Sequence, residues 1–250
     1  MVQAKKQFGQ NFLIDQGIIN SIISSFSPLP KDSVLEIGPG HGALTFPLLE
    51  TLDILNIVEI DRDLVSKYKS LNNPKIKIYE SDILKFDLTQ LSEPLRIIGN
   101  LPYNISSPIL FHILESKDNI KDMLFMFQYE VAERITAKPN SKAFGRLSVM
   151  MQTFFDTEIL IHVPPESFEP APKIDSAVVY FKPKLNFELK NFTKFEELVK
   201  LSFSQRRKTL KNCLKSLLVQ HDTAIDLSLR AEQLEINDYL TLLKDYERLN

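Results

Sequence analysis

The sequence predicts an α/β fold in which a parallel sheet is covered by helices on both faces, followed by a small all-helical domain. Short apolar runs bounded by turn residues alternate with amphipathic stretches through most of the chain. A glycine-rich turn joins one of the first strand-like runs to a helix-like stretch. After Pro183 the strand signal fades, and leucine periodicity from about Phe192 predicts several helices. We therefore expect two domains, 1–184 and 185–250.

The elements follow in chain order. A helix is expected after Asp15, because apolar residues from Ile18 to Phe26 recur at helical spacing and Asp15 is a favourable N-cap. The strand-like runs that follow are 34–37, 54–60, 76–79, 97–99 and 123–127. The helix-like stretches lie near 44–51, 62–71 and 105–116. Two more β-rich runs, 159–163 and 176–181, flank a proline-rich connection and are expected to finish an edge of the sheet.

Composition narrows the possible classes of protein. The chain is 44% hydrophobic and 25% charged, which is ordinary for a globular protein with a full core. Its single cysteine, Cys213, excludes a disulfide framework within the chain, and its four histidines lack the spacing of metal ligands. No segment is long and apolar enough to span a bilayer, and residues 1–12 lack the apolar run of a signal peptide. We expect a cytoplasmic protein with no metal ion and no membrane partner.

The glycine-rich turn Gly38-Pro-Gly40-His-Gly42 predicts a cofactor site. It follows a strand and opens a helix, and glycine lets the backbone approach a ligand where a Cβ would collide. Such turns lie at the carboxyl end of a parallel strand, where open α/β sheets bind ligands. Glu59 ends the next strand and could accept both ribose hydroxyls of an adenosine cofactor. The turn also fits a relaxed dinucleotide fingerprint or a purely structural role, so it indicates a nucleoside-type cofactor without selecting one.

The segment Asn100-Leu101-Pro102-Tyr103 favours methylation of an adenine N6 amine. The lone pair of this amine is delocalised into the ring, which makes it a poor nucleophile. Two oxygen acceptors around its hydrogens, the side chain of Asn100 and the backbone carbonyl of Leu101, would favour a tetrahedral nitrogen and stabilise developing positive charge. Tyr103 could stack on the base. A simple turn after a core strand would have no need of Tyr103.

Two more residues are weaker candidates. Asp82 follows the third strand of the sheet and could accept a hydrogen bond from the adenine amine of the cofactor, although it could equally be a cap. Phe168 lies on a proline-stiffened loop and could cover the opposite face of a flipped base, with ordinary loop packing as the alternative.

Six motifs taken together resemble the small-subunit ribosomal RNA adenine N6,N6-dimethyltransferase family. They are KKQFGQNFL (5–13), LEIGPGHG (35–42), NLPYNIS (100–106), VPPESFEPAPKIDSAVV (163–179), FSQRRKTLKN (203–212) and LRAEQL (229–234). The resemblance implies a Rossmann-like methyltransferase sheet that uses S-adenosylmethionine. It also implies dimethylation of two adjacent adenosines in the 3′-terminal hairpin of small-subunit RNA, within a pre-30S particle late in subunit biogenesis. Carried over by position, it implies cofactor contacts at Asn11, Leu13, Gly38, Glu59, Asp82 and Asn100.

The net charge of −2 does not by itself indicate a polyanionic partner. Any surface that binds RNA must therefore be a local basic one. Residues 199–221 contain six basic residues and no acidic one. Treated as one helix, 199–218 places Arg207, Lys208, Lys211 and Lys215 in a sector beside an apolar seam. A second candidate surface includes Arg134 and Arg146, diluted by nearby acids. We expect a monomer.

Three other functions remain open on the residues alone. A related methyltransferase acts on large-subunit RNA and confers macrolide resistance, and assays of the separate subunits would distinguish it. An RNA-binding factor with the same fold and no catalysis would bind without methyl transfer. A nicotinamide-dependent oxidoreductase is permitted by the glycine turn alone, and calorimetry with NAD against S-adenosylmethionine would separate the two.

Overall fold

The computed structural model describes residues 10–185, 189–217 and 223–248. The strands are β1 Phe12–Leu13, β2 Ser33–Ile37, β3 Leu55–Glu59, β4 Ile76–Glu80, β5 Leu95–Asn100, β6 Ile120–Gln128, β7 Phe155–Val163, β8 Phe168–Glu169 and β9 Ser176–Pro183. The α-helices are α1 Gln16–Phe26, α2 Thr45–Thr51, α3 Arg62–Ser70, α4 Ser106–Leu114, α5 Tyr129–Thr136, α6 Arg146–Phe154, α7 Phe192–Ser202, α8 Leu210–Cys213 and α9 Ile236–Arg248. None of these helices combines the length and apolar character that crossing a bilayer requires.

A seven-stranded sheet organises the chain, with the order β4-β3-β2-β5-β6-β9-β7. The pairs from β4 to β6 are parallel, and β9 runs antiparallel to β6. This confirms the predicted α/β fold, its strand-like runs and the placement of the last two long strands towards one edge. The carboxyl ends of β2, β3, β4 and β5 therefore lie along the same edge of the sheet. A separate two-stranded sheet joins β1 to β8.

The helix α1 forms where the sequence predicts it. The Asp15 carboxylate accepts hydrogen bonds from the backbone amides of Gly17 and Ile18, which caps the first turn. Ile19, Ile22 and Phe26 face inward and join a core that includes residues of β2, β3, β5 and β6. The apolar face of α1 is thus buried against the sheet that carries the glycine turn.

A buried guanidinium ties the end of α1 to the sheet. Arg96, 6% exposed in β5, donates to Asp122 in β6 and to Asp32 at distances of 2.8 and 2.6 Å. It also donates to the backbone carbonyls of Phe26 and Ser27 at the end of α1. A buried charge with this many partners is satisfied, whereas loss of both carboxylates would leave it uncompensated.

The chain forms two compact units. The first comprises the residues up to Ala132 together with Thr157–Pro183, and the second comprises Glu133–Asp156 and the residues from Lys184 onward. This division differs from the predicted boundary after residue 184, which leaves Glu133–Asp156 outside the C-terminal part. Within the second unit Phe195 contacts Phe154 edge to face, and the Tyr239 hydroxyl donates to the Ala231 carbonyl at 2.6 Å.

The prediction of a single helix over 199–218 is wrong. Helix α7 ends at Ser202, and α8 begins only at Leu210. The amides of Leu210 and Lys211 donate to the carbonyls of Leu229 and Leu227, distant residues that take the place of the preceding turn. Leu218 lies outside the described residues. Leu210, Leu214 and Leu217 of the predicted apolar seam are buried, but they lie on α8, just after it and on the short 3-10 turn Lys215–Leu217.

Candidate active site

One cavity of about 290 Å³ lies at the carboxyl edge of β2, β3, β4 and β5. All of its lining belongs to the first unit. The N-terminal segment, the glycine turn, the ends of the strands and the loop after β5 contribute the lining: Gln10–Leu13, Glu36–His41, Ala43, Leu44, Val58–Ile60, Ser81–Leu84 and Asn100–Ile105. Every residue carried over as a cofactor contact lies on this wall.

The glycine turn is held by β3 and leaves space beside its backbone. Gly38 adopts a φ of 63°, and its amide donates to the carbonyl of Val58 at 3.0 Å. A Cβ built on Gly38 would meet no protein atom within 4 Å, so this wall of the cavity is bare backbone. A side chain would have to adopt a strained conformation and fill that space. The turn therefore fits a ligand that contacts its main chain.

The carboxyl of Glu59 lies on the cavity wall at the end of β3 and is held by backbone amides. It is 6% exposed, and its Oε1 accepts from the backbone amides of Ile60 and Asp61, each at 2.8 Å. Burial raises the pKa of the Glu59 carboxyl, although these amides and that of Gly40 oppose the shift. A carboxyl held in this way can accept hydrogen bonds from the vicinal hydroxyls of a ribose.

Asp82 is a cap and also lies on the wall of the cavity. Its Oδ1 accepts from the backbone amide of Leu84 at 3.0 Å and so caps a short 3-10 turn. The residue also lines the cavity. A carboxylate whose position is set by a cap is well placed to accept from an exocyclic amine.

The amide of Asn100 is oriented by the N-terminal segment. Its Nδ2 donates to the backbone carbonyl of Asn11 at 2.9 Å, which assigns nitrogen to that side and makes Oδ1 the acceptor end. Leu101, the next residue, buries its side chain (1% exposed), and its amide donates to the carbonyl of Met126. The backbone around the second proposed acceptor is therefore anchored to β6.

Tyr103 reaches from the cavity wall to the start of β9. Its hydroxyl shares a 2.7 Å hydrogen bond with the hydroxyl of Ser176. Burial raises the pKa of the Tyr103 phenol and outweighs the opposing effect of this bond. The ring is therefore neutral, half-buried and fixed at both ends.

Comparison with known proteins decides the family. The family model described as ribosomal RNA adenine dimethylase matches residues 1–248. The chain belongs to this family. It is a Rossmann-like methyltransferase that uses S-adenosylmethionine to methylate adenine in ribosomal RNA. The cavity described above has exposed backbone at Gly38 and the carboxyls of Glu59 and Asp82 on its wall.

Individual relatives agree with the family. Proteins named ribosomal RNA small subunit methyltransferase A from Methylobacillus flagellatus and Dechloromonas aromatica are 51% and 48% identical to the chain. They align over 92% and 96% of this chain and 93% and 96% of their own lengths. A dimethyladenosine transferase from Plasmodium falciparum has a similar structure, with a TM-score of 0.81, 28% identity and coverage of 95% of this chain and 98% of its own. The 23S rRNA methyltransferase ErmE has a TM-score of 0.72 and 25% identity, with coverage of 95% of this chain and 100% of its own.

Among the residues predicted to act in catalysis or cofactor binding, Phe168 is the one that does not line the cavity. It is 3% exposed and belongs to the hydrophobic core. Its strand β8 pairs with β1 so that Phe168 lies opposite Leu13. In this conformation Phe168 packs in the core and its strand pairs with the N-terminal strand β1.

Two features of the cavity wall are absent from the site predicted from sequence. Glu36 lines the cavity inside an apolar strand, where it is 2% exposed and accepts from the Thr45 hydroxyl at 2.7 Å. Burial raises the pKa of Glu36 to about 8. An acid within the run 34–37 was the signal that could have revealed it. The ring of His41 contacts that of Phe12 with centroids 4.0 Å apart, a pairing that no local pattern announces.

The predicted basic residues of the dimethylase lie in the second unit, most of them exposed. Arg207, Lys208, Lys211 and Lys215 are exposed around the turn between α7 and α8 and beyond it. Arg134 is exposed on α5, whereas Arg146 is half-buried and pairs with Glu196 at 2.8 Å. The predicted basic residues therefore include exposed side chains and one arginine, Arg146, that already forms an ion pair within the second unit.

Proposed function

We propose that the chain dimethylates N6 of two adjacent adenosines in the 3′-terminal hairpin of small-subunit ribosomal RNA, within a pre-30S particle late in subunit biogenesis. One observation carries the catalytic part of this proposal. The oriented amide of Asn100 lines the same cavity as the glycine turn, so an acceptor for the target amine lies next to the cofactor site.

Cofactor binding is assigned to residues on the cavity wall. S-adenosylmethionine supplies an electrophilic methyl group on a sulfonium when it is bound. The carboxyl of Glu59 would accept from the ribose hydroxyls, and Asp82 from the adenine amine. The backbone of Gly38 would make close main-chain contacts. Asn11 and Leu13 would close the cavity from the N-terminal side, together with Asn100.

The target amine would be activated by two oxygen acceptors. Oδ1 of Asn100 and the carbonyl of Leu101 would accept from its two hydrogens, favour a tetrahedral nitrogen and stabilise positive charge as the methyl group arrives. No strong base is required, because the N6 proton becomes acidic at that stage and leaves to solvent. Tyr103 would stack on one face of the base. Phe168 could cover the other face only after it leaves its buried position.

RNA binding is assigned to the second unit. Arg207, Lys208, Lys211 and Lys215 are exposed, so their charges can follow a phosphate backbone. Arg134 and Arg146 are the weaker candidates, since Arg146 already pairs with Glu196. We infer a catalytic domain over 1–184 and a helical RNA-binding domain over 185–250. The segment Glu133–Asp156 belongs to the same compact unit as the residues of the second domain.

The relatives favour the small subunit over the large. Those named for the small subunit are 45% to 51% identical to the chain, compared with 25% for the 23S rRNA enzyme. We further infer a cytoplasmic monomer, which light scattering of the purified protein can check.

A methyl-transfer assay on separated subunits tests the proposal. Small subunits that lack the modification should accept labelled methyl groups from S-adenosylmethionine, and mass mapping should find two adjacent dimethyladenosines near the 3′ end. Methylation confined to large subunits would contradict it. RNA binding with no methyl transfer, under conditions in which a relative is active, would instead indicate a non-catalytic factor.

A further inference from the structure

We propose that Ser176 is a positioning residue, which holds the ring of Tyr103 in the plane needed to stack on the target adenine. The inference rests on the proposed function, because it gives a purpose to a ring already assigned to the base. Neither the glycine turn nor the oxygen acceptors involve Ser176.

The bond between the two hydroxyls joins two parts of the first unit that are distant in sequence. Tyr103 lies on the loop between β5 and α4, and Ser176 is the first residue of β9. Their hydroxyls are 2.7 Å apart, and Ser176 is 0% exposed. Water has little access to the serine, so solvent competes poorly for this bond.

The anchor is rigid because it belongs to the sheet. Ser176 pairs with Gln128 in the register between β6 and β9. The backbone carbonyl of the preceding residue, Asp175, accepts from the backbone amide of Tyr129 at 2.9 Å. Ser176 therefore moves only with the two strands.

The loop end of the tyrosine is also held. The carbonyl of Tyr103 accepts from the Ser106 hydroxyl at 3.2 Å, at the start of α4. The final torsion of a tyrosine side chain has a broad, roughly two-fold distribution, so the backbone alone does not fix the plane of the ring. The phenol oxygen lies on the axis of that torsion, so the bond to Ser176 fixes the direction of this axis. Because a phenol O–H prefers the plane of its ring, the same bond also favours one ring plane.

The ring of Tyr103 and its hydroxyl have separate roles. Stacking on a base requires an aromatic face, and phenylalanine offers the same face as tyrosine. The hydroxyl is therefore needed only because it ties the ring to Ser176. A misplaced ring leaves the target amine poorly aligned, and misplacement on the ångström scale costs about 100-fold in rate in severe cases.

A double-mutant cycle tests the inference. Ser176→Ala and Tyr103→Phe remove the same bond from opposite sides, so each should lower kcat about tenfold, and the double variant should lose no more than either single one. The dissociation constant for S-adenosylmethionine should stay unchanged, and KM for the RNA should change little. The fluorescence of 2-aminopurine placed at the target position should be less quenched in both variants. Ser202→Ala is the matched control, because Ser202 is also buried but bonds within its own helix.

The possible outcomes separate the inference from the proposed function. Wild-type kcat and quenching in both variants, with activity lost in Tyr103→Ala, would overturn the role of Ser176 and leave the stacking assignment intact. Additive losses in the double variant would also overturn it. Full activity in Tyr103→Ala would defeat the proposed stacking itself. If Ser176→Ala does not fold, Tyr103→Phe decides alone.

Discussion

Glu36 places an ionisable carboxyl in a strand that is otherwise apolar. Its pKa rises from 4.5 to about 8 because burial disfavours the charged form, and the nearby Glu59 adds to the shift. Between these values the folded protein holds a proton that the unfolded chain has released. The free energy of unfolding should therefore fall as pH rises from about 5 to 8, by at most about 1.4 kcal/mol per pH unit.

Glu36→Gln should flatten this pH dependence. Glutamine keeps an acceptor for the Thr45 hydroxyl and does not titrate, so the variant should lose the decline in stability towards pH 8. Denaturant unfolding of the cofactor-free protein at several pH values measures the effect. Glu50→Gln, at an exposed position, is the control and should follow the wild type. Equal slopes in Glu36→Gln and the wild type would show that the carboxyl does not hold its proton.

Asn100 is expected to act through an oxygen whose direction is set by Asn11. Asn100→Ala removes the acceptor, and kcat should fall by about 100-fold or more. Asn100→Asp keeps two oxygens but loses the donor to the carbonyl of Asn11, so it should also be impaired. Transfer of labelled methyl groups to small subunits measures both variants. Activity near the wild-type level in Asn100→Ala would contradict the assigned mechanism.

At the scale of elements, the approach of β2 and β5 depends on Gly99. A Cβ at this position would lie 2.6 Å from the carbonyl oxygen of Ile37, which is backbone and cannot turn away. Gly99→Ala should therefore cost about 1–3 kcal/mol of unfolding free energy. It should also weaken binding of S-adenosylmethionine, since these strands carry the glycine turn and Asn100. Gly145→Ala is the control, because a Cβ at Gly145 would lie 3.9 Å from its nearest neighbour, the carbonyl oxygen of Ala143. This variant should lose less stability in the same denaturant titration.

The strands could be predicted from sequence because their signal is local. Buried parallel strands read as short continuous apolar runs, and the glycine turn marks where the strand of Glu36 gives way to a helix. The interrupted helix beyond Ser202 could not be predicted in the same way. Its break depends on backbone bonds from Leu210 and Lys211 to Leu229 and Leu227, and no periodicity in 199–218 encodes those partners.

At the scale of the whole molecule, the site was more predictable from the resemblance than from patterns. The proposed acceptor role of Asn100 follows from the chemistry of its motif, whereas Asn11 has no distinctive local signal. Its part in orienting Asn100 depends on a hydrogen bond between residues 89 positions apart. Likewise, no local pattern assigns Glu133–Asp156 to the second unit, which is defined by contacts between residues far apart in the chain.

The basic surface of the second unit should bind RNA without affecting the cofactor site. Arg207→Gln and Lys211→Gln each remove one exposed charge, so each should weaken RNA binding and lower the salt slope of the binding constant by about 0.7 to 0.9 for each phosphate that is no longer neutralised. Affinity for S-adenosylmethionine should not change, because every residue that lines the proposed cofactor cavity lies in the first unit. Lys244→Gln, at an exposed position on α9, removes the same charge and serves as the control. If all three variants lose affinity equally, the RNA responds to net charge alone; a specific surface requires that Lys244→Gln bind like the wild type while the other two do not.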